Sequence, residues 1–150
     1  MKVATCLQHV PFEGPGIFRQ ALEARGYRVK TSLVPSEGLP QEAEDFLLIM
    51  GGPMSVNDSE SWIAEELNFL EAAMRKDMPT LGMCFGAQLL AKASGGSVVP
   101  GTTFEIGMNP VTLTDEGKAD PIFRHFPSSL QVFPWHGEGI VLPQETKPLI

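Results

Sequence analysis

Phe46-Leu47-Leu48-Ile49-Met50 is a continuous apolar run that breaks at once on Gly51-Gly52-Pro53. A run with no polar side is the signature of a strand buried on both faces, and such strands belong to parallel sheets covered by helices. The rest of the first two-thirds of the chain alternates accordingly. Val3 to Leu7 reads as a first strand, and Gly16 to Arg25 as a helix that Gly26 stops. Arg28 to Val34 reads as a second strand ending at Pro35. Ile63, Leu67, Leu70 and Met74 recur at helical spacing and share one face, with Glu65, Glu66 and Glu71 expected mostly off it. Pro79 to Met83 is the next strand and Phe85 to Ser94 the next helix, closed by Gly95-Gly96. This alternation predicts an α/β fold with a mostly parallel central sheet between two helical layers.

After residue 96 the texture changes. Val98-Val99, Val111 to Thr114, Val132-Phe133 and Ile140 to Leu142 read as short strands joined by Gly, Pro and Asp turns, so a β-rich C-terminal portion is expected. The last residues, Lys147-Pro148-Leu149-Ile150, are apolar where a frayed polar end is usual, and they read as an interrupted strand.

A chain of 150 residues is enough for one domain with its own core. Its net charge of −7, without a Lys/Arg cluster, argues against nucleic acid or an anionic membrane surface as a partner. No apolar stretch approaches membrane-spanning length. The two cysteines, Cys6 and Cys84, form neither a disulfide framework nor a metal-ligand set, so no metal is expected. The start of the chain carries no signal-peptide pattern, and a reducing, cytoplasmic setting is the expectation.

The chemistry centres on Gly82-Met83-Cys84-Phe85-Gly86, between a strand and a helix. This is the pattern of a nucleophile elbow, in which small residues let strand and helix approach and the central side chain projects above the sheet edge. A thiol at a helix N-terminus meets unpaired N–H groups and a partial positive charge, which favour the thiolate. His9, Gly51-Gly52 and Cys84 all follow predicted strands, so they fall at one sheet edge, where ligands bind in such folds.

These pieces, taken in order, resemble the class I, triad-type glutamine amidotransferases, most closely the small GMP-synthase-like members. The carriers are Leu7-Gln8-His9-Val10-Pro11 with Glu13-Gly14-Pro15-Gly16, then Gly51 to Val56, then Leu81 to Ala91, Glu105-Ile106-Gly107, and Trp135-His136-Gly137-Glu138. The resemblance implies a flavodoxin-like three-layer sandwich. It also implies hydrolysis of the glutamine side-chain amide through a glutamyl thioester, releasing glutamate and ammonia, with no cofactor. Cys84 matches the nucleophile; Gly52 and Phe85 match the oxyanion-hole donors. Gln88 matches a glutamine contact, and Gly51, Glu105, Ile106, Gly107 and His136 match the lining of the same pocket. The implied partners are glutamine and an ammonia-accepting synthase domain or subunit.

The family's activating element, His-x-Glu, is not assigned here to His136-Gly137-Glu138, although the spacing fits. In the family a segment like this one precedes the catalytic pair, so His136 is read as a pocket-side residue. His9, at the active edge, could line the pocket, with a turn role bonding local backbone the first expectation; His125 is expected to be a surface or packing residue. The pair is expected beyond Ile150, which makes residues 1–150 a C-terminally incomplete domain with an exposed sheet edge through which copies could associate. Two other readings fit the same residues: a glutamine-binding pseudoenzyme, and a hydrolase of γ-glutamyl amides or peptides. A purely redox role is weaker, since no resolving cysteine lies near Cys84 in sequence.

Overall fold

The computed structural model describes residues 1–150. Four parallel strands form the central sheet in the order β2-β1-β3-β4, with β1 at Lys2–Gln8, β2 at Tyr27–Leu33, β3 at Phe46–Ile49 and β4 at Thr80–Gly82. Helices α1 (Gly16–Glu23), the short α2 (Val34–Glu37) and α3 (Ser61–Arg75) lie in the crossovers between successive parallel strands, and α4 (Phe85–Ala93) leads out of β4.

The two-residue period of a strand sorts its side chains to opposite faces. On β1 and β3, Ala4, Cys6 and Leu48 pack toward Phe18 and Leu22 of α1. Leu7, Leu47 and Ile49 pack the other way, against Ile63 and Leu70 of α3 and Leu89 of α4. The result is the expected three layers with an apolar core on each side. Each of these fully buried Leu and Ile side chains contributes roughly 2 kcal/mol by leaving water. Burial also pushes the Cys6 thiol up to about 11, so it stays protonated as a small apolar group.

The β-rich portion is present as two antiparallel pairs. Strand β5 (Ser97–Ile106) pairs with β8 (Trp135–Val141), and β6 (Asn109–Thr112) pairs with β7 (Ser129–Val132). A one-turn helix, α5 (Asp115–Ala119), sits between them, capped by the Thr114 hydroxyl accepting from the Gly117 N–H.

Two expectations need correction. Lys147 to Ile150 form no strand. They dock on the start of α5, where Thr114 donates its N–H to Leu149 C=O and its hydroxyl to Pro148 C=O. Backbone satisfied locally in this way does not need a sheet partner. Glu66, expected on the polar side of α3, is fully buried and shares the inner face with Ile63, Leu70 and Ala73. A carboxylate tolerates that position only with a polar partner, and it has one.

Candidate active site

The C-terminal ends of β1, β3 and β4 converge on one edge, as the topology requires. Beyond β3, Met50 N–H donates to Leu7 C=O; beyond β4, Met83 N–H donates to Ile49 C=O. The ladders therefore hold the three strand ends in register up to the residues that follow: His9, Gly51-Gly52 and Cys84.

Cys84 is the turn between β4 and α4. Its φ of 51° and ψ of −111° lie in a region that favours glycine, so the backbone at the thiol is strained. The flanking glycines explain how the turn closes. A Cβ on Gly82 would sit 2.5 Å from Gly86 C=O, and one on Gly86 would overlap the backbone carbonyl of Ile49. Strand and helix thus meet at backbone distance, which lifts residue 84 above the sheet edge.

Gly51 lies beside the thiol. A Cβ there would stand 3.5 Å from Cys84 Cβ and 2.7 Å from Glu13 Oε2. The Gly52 N–H donates to no backbone or side-chain acceptor of the protein. At the other side of the sulfur, Phe85 N–H at the start of α4 faces Cys84 and favours its ionised form. The sequence expectation of a net favoured thiolate is nevertheless reversed. Cys84 is open to solvent on one side, yet burial on the others pushes the thiol above its ordinary value, and the Glu13 carboxylate adds to the rise. Glu13→Gln removes that negative charge, so the thiol ionises at lower pH. Iodoacetamide alkylation of Cys84 at neutral pH should speed up by about two- to fivefold, with the pH–rate midpoint moving down. An unchanged or raised midpoint would contradict this electrostatic account.

Two clefts meet at Cys84. The first, of about 370 Å³, is lined by Gly52, Cys84, Gln88, Phe104, His136 and Glu138, among others. Its far wall is β8, tied to the Gly-Gly-Pro loop by the Ser55 hydroxyl donating to Glu138 Oε1 at 2.8 Å. The second, of about 690 Å³, is more apolar and brings Phe12, Glu13, Phe133 and Trp135 to the sulfur's other side. Among the expected pocket residues, Gln88 and His136 line the first cleft directly. Glu105 reaches it through His136, whose Nε2 lies 3.5 Å from Glu105 Oε2. Ile106 is exposed opposite Trp135, and Gly107 turns the chain at φ 126°. The β5 residue on the cleft wall is Phe104, which the sequence reading did not single out.

No histidine hydrogen-bonds the sulfur; the thiol donates weakly to the backbone C=O of Trp135 at 4.0 Å. His125 lies at the surface beside Arg124. His9 is buried and bonds not local backbone but Gly51 C=O and Glu66, which are 42 and 57 residues away.

The family model for class-I glutamine amidotransferases matches residues 17–149. This chain belongs to the class-I glutamine amidotransferase family. It is 33% identical over 138 residues to a glutamine amidotransferase-like protein of Salmonella typhimurium, covering 87% of this chain and 58% of that protein. Over 101 residues it is 32% identical to one of the subunits of a glutamine-hydrolysing GMP synthase from Sulfurisphaera tokodaii, covering 67% of this chain and 50% of that relative. The crystal structure of a glutamine amidotransferase from Thermotoga maritima superposes with a TM-score of 0.87 at 28% identity, over 99% of this chain and 66% of that one. The flavodoxin-like fold is therefore shared with this family, and the chain spans about half to two-thirds of the length of these relatives.

The sequence reading quoted Glu13, Ser55 and Trp135 among the motif residues without giving them a role, and it missed the place of Glu66. The lone signal for Glu66 was its spacing. It sits three residues after Ile63 and four before Leu70, on the stripe that faces the sheet. None of the helices is long and apolar enough to cross a membrane.

Proposed function

We propose that this chain carries the glutamine-hydrolysing half-site of a class-I amidotransferase. Cys84 attacks the side-chain carbonyl of glutamine, giving a tetrahedral oxyanion and then a glutamyl thioester with loss of ammonia. Water releases glutamate from the thioester. The N–H groups of Gly52 and Phe85 receive the oxyanion, each contributing about 3 kcal/mol to the barrier reduction. Gln88 and His136 hold the glutamine in the first cleft, with Gly51, Glu105, Ile106 and Gly107 shaping its surroundings.

The observation that carries this reading is the strained thiol of Cys84 beside the unpaired Gly52 N–H in one cleft. A nucleophile needs a base. We place that base, a His-x-Glu pair, in sequence following Ile150, on the family resemblance. An ammonia-accepting synthase domain or subunit is the proposed partner, since one relative is itself part of a GMP synthase. The two cysteines are unpaired, which fits a reducing cytoplasm.

A chloroketone analogue of glutamine tests the site without requiring turnover. It is expected to alkylate Cys84 alone, leaving Cys6 unmodified, and glutamine is expected to protect. Uniform labelling of both cysteines, or no protection by millimolar glutamine, would count against the reading.

A further inference from the structure

We propose that His9 and Glu66 are positioning residues that hold the Gly51–Gly52 peptide in the one orientation that offers its N–H to the reacting carbonyl. This rests on the reading above, in which Gly52 N–H receives the oxyanion.

The imidazole of His9 lies behind the turn, with both nitrogens committed. Nδ1 is 3.2 Å from Gly51 C=O, and Nε2 is 3.1 Å from each oxygen of the Glu66 carboxyl. A carbonyl oxygen only accepts, so Nδ1 must carry a hydrogen and donate it. The remaining hydrogen lies between Nε2 and Glu66, carried by one or the other. The ring is also clamped by aromatic faces. It stacks on Trp62 at 5.7 Å and meets Phe85 edge-on at 4.9 Å. Side chains of His9 and Glu66 are fully buried, so water does not compete for these bonds.

The consequence follows from peptide geometry. Gly51 C=O and Gly52 N–H belong to one planar trans unit, in which the two bonds point to opposite sides. Anchoring the oxygen on His9 therefore sends the N–H away from His9, to the side of the cleft that Gly52 lines with Cys84. Glycine on both sides of that peptide gives the chain little resistance to rotating it. Without the anchor, a rotated peptide would present an oxygen where a developing negative charge must sit. The same imidazole packs edge-on against the Phe85 side chain, the residue whose N–H is the other proposed donor.

The test separates this bond from general packing. Asparagine can place its amide nitrogen where Nδ1 stands, whereas leucine cannot. In the His9→Asn, Glu66→Gln double variant the donor to Gly51 is kept; in His9→Leu, Glu66→Gln it is lost, and neither leaves a buried carboxylate unpaired. Capture of Cys84 by the chloroketone, which passes through an oxyanion before chloride leaves, should fall by about tenfold or more in the leucine variant and by less than about threefold in the asparagine one. Iodoacetamide, which forms no oxyanion, should react alike with both. Equal chloroketone rates in the two variants would overturn the inference. If the parent chain is not captured at all, the glutamine-site reading fails instead. Nitrogen-15 spectra of the parent chain then still decide the anchor: a protonated Nδ1 on His9 supports it, and a bare Nδ1 overturns it, whether or not any variant folds.

Discussion

Cys84→Gly is expected to melt at a higher temperature than the parent chain and to lose covalent capture by the glutamine chloroketone. The first effect comes from the backbone. Residue 84 holds φ at 51° and ψ at −111°, which an L-residue with a Cβ adopts at a cost of about 1–3 kcal/mol. Glycine adopts it freely, although it gives back about 0.5–1 kcal/mol through its more flexible unfolded state. The net is a stabilisation of roughly 1 kcal/mol. The second effect comes from the sulfur, the cleft's thiol and the atom the chloroketone alkylates. Cys84→Ala is the control, since it removes the sulfur and keeps the strain. Thermal melts of the three proteins check the order: glycine above alanine, with alanine near the parent. Glycine melting below alanine would show that the turn stores no strain. The thiol would then owe its position to packing alone.

Gly86→Ala should have the opposite character, with a large loss of stability. A methyl at residue 86 would run into the carbonyl of Ile49 and stand 2.8 Å from Ile49 Cγ2. Neither can give way cheaply. The carbonyl accepts from Met83 N–H and belongs to the central strand, and Ile49 is fully buried. Helix α4 would have to lift off β3, opening the core around Phe85 and Leu89. Overpacking of this kind costs about 3 kcal/mol or more against backbone. Denaturant unfolding measures it directly. Gly51→Ala is the useful contrast, because the nearest atom there is the tip of the flexible Glu13 side chain. That variant should unfold within about 1 kcal/mol of the parent while crowding the thiol. Comparable losses at 51 and 86 would show that close strand–helix approach is not what Gly86 provides.

The sequence alone determined the layered architecture and the location of the thiol. Those features are local. Apolar runs, helical spacing and glycine punctuation act over a few residues, and the order of strands then places residues 9, 51, 52 and 84 at one edge. The β-rich portion was legible for the same reason, though its pairing partners were not. β5 reaches across to β8, and Phe104, in the irregular stretch between Pro100 and Glu105 where the register shifts, lines the cleft.

What only the tertiary structure decided is the electrostatic setting. Glu66 read as a solvated charge because a glutamate on a helix ordinarily stays in water, where its charge is cheapest. Its burial makes sense once His9 is seen beside it, and nothing near either residue in sequence announces the other. Cys84 read as an activated thiolate from its place at a helix start. Its actual balance depends on how much water the two clefts leave at the sulfur and on Glu13, which arrives from the loop after β1. Periodicity encodes which face a residue takes. Long-range pairing encodes which charge it meets, and only the folded chain brings those charges together.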